Sequence, residues 1–260
     1  MDTYDYQALT PQSAVAQMQA HGVRTLYLGT ARFNSNADFA YPNDVDAWLQ
    51  AAHSGDIRVV GWYVPEYSNV ATDVNRTLAI ARYRGISGQR FDGLGIDIEY
   101  PAQVADPVAW NAAVGSQLAQ VRAATTMPIG AIVLPPLLMS AWPDKTWPDK
   151  NRWVTFPWAV IGKKADALLL MNYWTSYTPA HLCPTNPQYC VAAYTSANVQ
   201  RGRDLTGLPI HAIGGVGGNT APGDTALFAQ TAHGAGAVGG SFYDLRTTSA
   251  QEWTALQTLR

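Results

Sequence analysis

The chain has 260 residues, of which 47% are hydrophobic and 14% charged, with a formal net charge of -2; this is enough apolar material for one large α/β core. The near-neutral balance, without a basic run, excludes nucleic acid or an anionic membrane as the expected partner. Apolar stretches are broken at strand length by Gly or Pro, which excludes a transmembrane helix, so the expectation is one soluble domain over residues 1–260.

Residues 1–10 are polar, and Pro11 to His21 then reads as a helix. Arg24 to Ala31 is the first β-rich run and precedes amphipathic Asp44 to His53. Ile57 to Tyr67 leads to Ala71 to Arg84, and Phe91 to Tyr100 leads to Pro107 to Ala124. The later β-rich runs are Met127 to Leu134, Ala165 to Trp174, Leu208 to Gly217 and Ala237 to Leu245. Helical stretches follow at Tyr194 to Arg203, Thr225 to His233 and Ser249 to Leu259. Repeated β/α units of this size form a closed barrel or an open doubly wound sheet. Acids and aromatics at strand carboxyl ends all along the chain, rather than at one switch point, favour a (β/α)8 TIM barrel. Seven such units are visible. The first strand is therefore expected to be missing, to lie upstream of Pro11, or to be replaced by an irregular segment around Tyr4 to Leu9.

The run Phe91-Asp-Gly-Leu-Gly-Ile-Asp97-Ile-Glu99-Tyr100 carries the strongest chemical signal. Period-2 geometry sends Asp97 and Glu99 out of one face with Cα atoms roughly 6.5–7 Å apart, and two acids that perturb each other suit acid/base chemistry. Other strand ends add Trp62, Tyr63, Glu66 and Tyr67, then Met171, Asn172, Tyr173 and Trp174, and finally Phe242, Tyr243 and Asp244. Aromatics among carboxylates suit a sugar site, because pyranose faces stack on rings while acids and amides bind hydroxyls; the same aromatics also pack cores.

Cys183 and Cys190 bracket a Pro-containing loop and are expected to form a disulfide in an exported protein. No signal peptide follows Met1, so any targeting segment is expected to have been removed or to lie upstream. The histidines do not cluster at ligand spacing, so no metal is expected. His211, on an apolar strand, reads as a core residue. Gly214 to Asn219 lacks the P-loop lysine and reads as a tight turn. The duplicated Trp-Pro-Asp-Lys at 142–145 and 147–150, with Trp153, lies in a long loop that reads as a substrate flap or a packed cover.

Phe91 to Glu99 resembles the signature of family 18 glycoside hydrolases, the chitinases and endo-N-acetylglucosaminidases, whose fourth barrel strand carries Asp-Gly-x-Asp-x-Asp-x-Glu. Met171-Asn172-Tyr173 is similar to the Met-x-Tyr of that family's sixth strand, and Gly239 to Asp244 to its last. The resemblance implies that Glu99 is the general acid and later the base. It implies that Asp97 orients an N-acetyl group whose oxygen is the nucleophile, and that Tyr173 binds that acetamide. Asp97 would raise the Glu99 pKa, and no cofactor is needed. Two departures stand out: the middle aspartate of the signature is Gly95, and the tryptophan of the last strand is Phe242 or Tyr243. They leave open a carbohydrate-binding barrel without turnover. Also open are a two-carboxylate glycosidase using Glu66 with Glu99 and a muramidase-like barrel, which also uses an Asp-x-Glu strand.

Overall fold

The computed structural model describes residues 1–4, 6–99, 106–140, 155–174, 190–221 and 223–259. Eight parallel strands close into a barrel in sequence order. They are β1 (Asp2–Thr3), β2 (Thr25–Arg32), β3 (Arg58–Val64), β4 (Gly93–Ile98), β5 (Ile129–Val133), β6 (Ala167–Met171), β7 (Ile210–Val216) and β8 (Gly239–Tyr243). The surrounding helices are α1 (Pro11–Ala20), α2 (Pro42–Ser54), α3 (Val70–Arg82), α4 (Pro107–Ala124), α5 (Pro136–Ser140), α6 (Trp158–Lys164), α7 (Val191–Thr206), α8 (Asp224–Gly234) and α9 (Ala250–Leu256).

Alternation along each strand builds two apolar layers. Leu94, Ile96 and Ile98 of β4 face outward into the shell beneath the helices, whereas Trp62, Ile132, Leu169, Met171 and Ile213 fill the barrel interior. Helix α4 shows how the outer layer is closed. Asp106 caps it by accepting from the Val108 amide, Pro107 starts the first turn, and Trp110, Val114, Leu118 and Val121 recur on one buried face.

The first strand lies upstream of Pro11, as one of the expectations had it, and is neither missing nor the segment around Tyr4 to Leu9. Asp2–Thr3 is that strand, pairing with Tyr27 and Leu28 of β2 and, through Asp2, with Tyr243 of β8. It lies ahead of the Tyr4 to Leu9 segment expected to replace it. Its contribution is made by the main chain: the Tyr27 amide donates to Met1 O and the Leu245 amide to Asp2 O, each at 2.7 Å. Two residues of backbone close the ring without an apolar run, so hydropathy carries no trace of them. Helix α6 is a second addition; its seven residues bury only Trp158 and Ile161 against the core, too short a pattern to stand out after Pro157.

Of the Gly214 to Asn219 segment read as a tight turn, Gly214 to Val216 complete β7 instead and only Gly217 and Gly218 turn. Gly218, at φ 81°, points its amide at both carboxylate oxygens of Glu252, at 3.1 and 3.0 Å. Glu252 also accepts from the Ser249 amide and so completes the capping box of α9. The duplicated Trp-Pro-Asp-Lys, Trp153, Tyr100 and Cys183 lie outside the described residues; Cys190 stands at the N-cap of α7.

Candidate active site

A cavity of about 240 Å³ opens where the strands end, lined by Asp2, Arg32, Phe33, Trp62, Val64, Asp97, Glu99, Ile132, Met171, Tyr173 and Tyr243. This is the carboxyl end of the barrel, the face from which barrel enzymes work. A larger space of about 400 Å³ lies at the opposite end, among residues that begin strands, such as Thr25, Arg58 and Gly239. His211 belongs there, donating to or accepting from Ser241 Oγ at 3.0 Å, with burial pushing its pKa down to about 3. It is a neutral interior residue.

Because Leu94, Ile96 and Ile98 face outward, Gly95 and Asp97 face the axis. Glu99, one residue beyond β4, opens into the same cavity. Asp97 is buried and its Oδ1 has no hydrogen-bond partner among the described residues, while Glu99 is exposed at the mouth. Burial pushes the Asp97 pKa well above the usual carboxylate range, with the charges of Glu99 and Asp2 adding and Arg32 opposing. Glu99 is raised as well, by desolvation against the pull of Arg32. The repulsion within the pair thus bears on Asp97, the deeper member, rather than on Glu99 as the sequence suggested. Both acids therefore keep their protons to higher pH than solvated carboxylates would.

The alternation that places the pair also sorts the aromatic candidates. Met171 and Tyr173 face the cavity, and the Tyr173 ring lies 6.3 Å from that of Tyr243. Tyr243 has its pKa pushed up to about 12 by burial and by Asp2 and Asp244, and stays a protonated donor. Asn172 is buried outside the cavity lining. Trp174 packs against Phe228 and Phe242 at 5.1 and 5.9 Å, away from the mouth. Trp62 is in the cavity, whereas Tyr63 turns outward and donates to Asp73 Oδ1 at 2.7 Å. Tyr67 packs its ring on Trp110. Glu66, half-buried in the loop after β3, accepts from Ser68 Oγ at 3.1 Å and does not line the cavity. Asp244 is buried, accepting at Oδ1 from the Thr247 amide and hydroxyl, and is close enough to raise the Asp2 pKa.

Five cavity residues escaped the sequence reading: Asp2, Arg32, Phe33, Val64 and Ile132. Asp2 faces inward from β1, opposite Tyr27 and Tyr243. Burial drives its pKa to about 7, with Asp244 adding and the Met1 ammonium and the Trp62 indole opposing. Its polar surroundings in sequence concealed a strand. Arg32 ends β2 and Phe33 follows it, where strict alternation gives no reason to aim an arginine inward. Among the described residues no group of His, Cys, Asp and Glu is arranged to hold a metal ion.

No family model matches the chain, and no curated protein matches it. Solved structures do. A chitinase from Chromobacterium violaceum is 13% identical over 99% of this chain and 97% of its own, with a TM-score of 0.64. A class V chitinase from Pseudomonas fluorescens is 12% identical over 99% and 98%, with a TM-score of 0.65. The spore cortex-lytic enzyme SleL from Bacillus cereus is 12% identical over 100% of this chain and 73% of its own, with a TM-score of 0.62. At these identities the likeness is one of fold: the chain is a (β/α)8 barrel of the shape shared by these three proteins.

Proposed function

We propose that the chain is a glycoside hydrolase acting on a glycan that contains N-acetylhexosamine, with Glu99 as general acid and base and Asp97 assisting. The observation that carries the reading is the convergence of Asp97 and Glu99 on one cavity at the carboxyl end of the barrel, beside Trp62, Tyr173 and Tyr243. The fold neighbours named as chitinases and a cortex-lytic enzyme agree with it. In the proposed sequence Glu99 gives its proton to the glycosidic oxygen as the C1–O bond breaks. The acetamide oxygen of the substrate, oriented by Asp97 and Tyr173, closes onto C1. Glu99 then takes a proton from the water that reopens that ring. No cofactor enters the scheme.

Desolvation of the pair is what favours catalysis over binding alone: Glu99, although at the mouth, has its pKa raised, which a general acid requires and a lectin does not. Glu66 lies off the cavity, which disfavours a two-carboxylate mechanism through that residue. The proposal extends to an exported protein with Cys183 and Cys190 joined, supported by the short Pro-containing loop between them.

Product release from chitooligosaccharides, peptidoglycan and neutral glucans, read by mass spectrometry for the wild type and Glu99→Gln, tests the reading. Cleavage of N-acetylated glycans that disappears in the variant is expected. Cleavage of glucans alone would move the second catalytic role to another carboxylate, and binding without cleavage in both proteins would make the barrel a lectin.

A further inference from the structure

Strand β2 carries an irregularity with a direct chemical consequence. Gly29 pairs with Trp62 but Ala31 pairs with Tyr63 and Arg32 with Val64, so three residues of β2 span two of β3. The extra residue is taken up beside Thr30, whose buried hydroxyl donates to Trp62 O at 2.8 Å. Such a bulge reverses which residues face inward. Ala31 joins Tyr63 in the outer shell, and Arg32 follows Val64 to the cavity side.

The arginine so aimed is held in place. Its guanidinium carbon lies 4.1 Å from the centre of the Tyr4 ring, and Tyr4 in turn packs on Trp62 at 5.7 Å. Gly29 makes room for Tyr4, since a Cβ there would come within 2.5 Å of that ring. The Arg32 amide donates to Ser35 Oγ at 2.9 Å, and Arg76 Nη1 donates to the carbonyls of Arg32 and Phe33, each at 2.7 Å. Among the described residues the Arg32 side chain forms no ion pair; those present are His53 with Asp92 and Arg122 with Asp166. A cation preorganised on a ring at the mouth of an acidic cavity, with no carboxylate paired to its fork of donors among the described residues, matches a planar anion.

We infer that the glycan carries a carboxylate on the sugar seated at the cavity rim, and that Arg32 binds it. The inference rests on the glycosidase reading and narrows its substrate to acidic glycans. It also removes a conflict in the site. Arg32 lowers the pKa of Glu99, which works against a general acid; a substrate carboxylate paired with Arg32 would neutralise that pull only in the loaded site.

Calorimetric binding to the Glu99→Gln protein tests this without turnover. The ligands are oligosaccharides of alternating N-acetylglucosamine and glucuronic acid, peptide-free glycan strands bearing a lactyl carboxylate, the carboxyl-reduced form of each, and chitooligosaccharides. At least one carboxylated ligand is expected to bind about tenfold or more tightly than its reduced form, the scale of a charge-assisted hydrogen bond. Adding Arg32→Gln should erase that difference while leaving the reduced form and chitooligosaccharides unaffected, and Arg32→Lys should restore part of it. Equal binding of carboxylated and reduced ligands, or an Arg32→Gln loss that falls equally on neutral sugars, would overturn the inference and leave the glycosidase reading standing. Absence of binding to every ligand would remove both.

Discussion

Trp62 occupies the space that a side chain on Gly95 would need: a Cβ built on Gly95 would lie 2.9 Å from Trp62 Cβ and 3.1 Å from Ile132 Cδ1. The bare backbone of β4 at Gly95 and the close approach of the Trp62 Cβ from β3 and of Ile132 from β5 are therefore one structural choice. Gly95→Asp, which rebuilds the acid of the family 18 signature, is expected to destabilise the fold by about 1–3 kcal/mol through overpacking alone, with the burial of a further acid adding to it. Urea unfolding measures the loss; Ile132→Val in the same chain, which removes the Cδ1 atom, should recover part of it, whereas Trp62→Ala, which keeps the obstructing Cβ, should not.

Asp97→Asn replaces the deeper acid with a neutral amide. Desolvation, not the Asp97 charge, holds the Glu99 pKa up, so the alkaline limb of activity should stay in place. If Asp97 assists the proton transfer, kcat/KM should fall about 10²-fold or more. A pH–rate profile of wild type and variant checks this; an alkaline limb that moves to lower pH would show that the Asp97 charge bears on Glu99 after all.

Asp2 makes the folded protein hold a proton that the unfolded chain releases. Its folded pKa is about 7 against an ordinary 3.8, so stability falls as pH rises through that window and is level above it. Asp2→Asn should remove this penalty, raising stability near pH 8 by on the order of 2–4 kcal/mol and leaving it unchanged near pH 3. Thermal melts across pH 3–9 would show a flatter profile for the variant.

Asp73 ties β3 to the loop that follows it. It accepts from the Tyr63 hydroxyl at 2.7 Å and from the amide of Tyr67 at 3.1 Å, and Tyr67 sits at φ 64°, a left-handed conformation that a bulky residue seldom adopts. Asp73→Ala leaves both donors buried without a partner and should cost about 2–4 kcal/mol. Asp73→Asn, which keeps the acceptor for at least one of them, should cost less; equal losses in denaturant would refute the role assigned to the carboxylate.

The periodicity of Leu94, Ile96 and Ile98 was enough to put Asp97 and Glu99 on one face, because side-chain direction in a strand follows from backbone geometry alone. The same local rule gave seven strands, most of the helices, and the inward turn of Met171 and Tyr173. It could not give what depends on partners distant in sequence. Asp2–Thr3 is a strand only because β2 and β8 offer it main-chain partners. Arg32 faces the site only because a bulge is accommodated against β3. The raised pKa values of Asp97 and Glu99 depend on burial and on charges brought in from β1 and β2. The sequence by itself determined the repeating unit and the acids it carries; closure of the barrel decided which residues meet those acids, since hydrogen-bond register and desolvation exist only once distant strands are side by side.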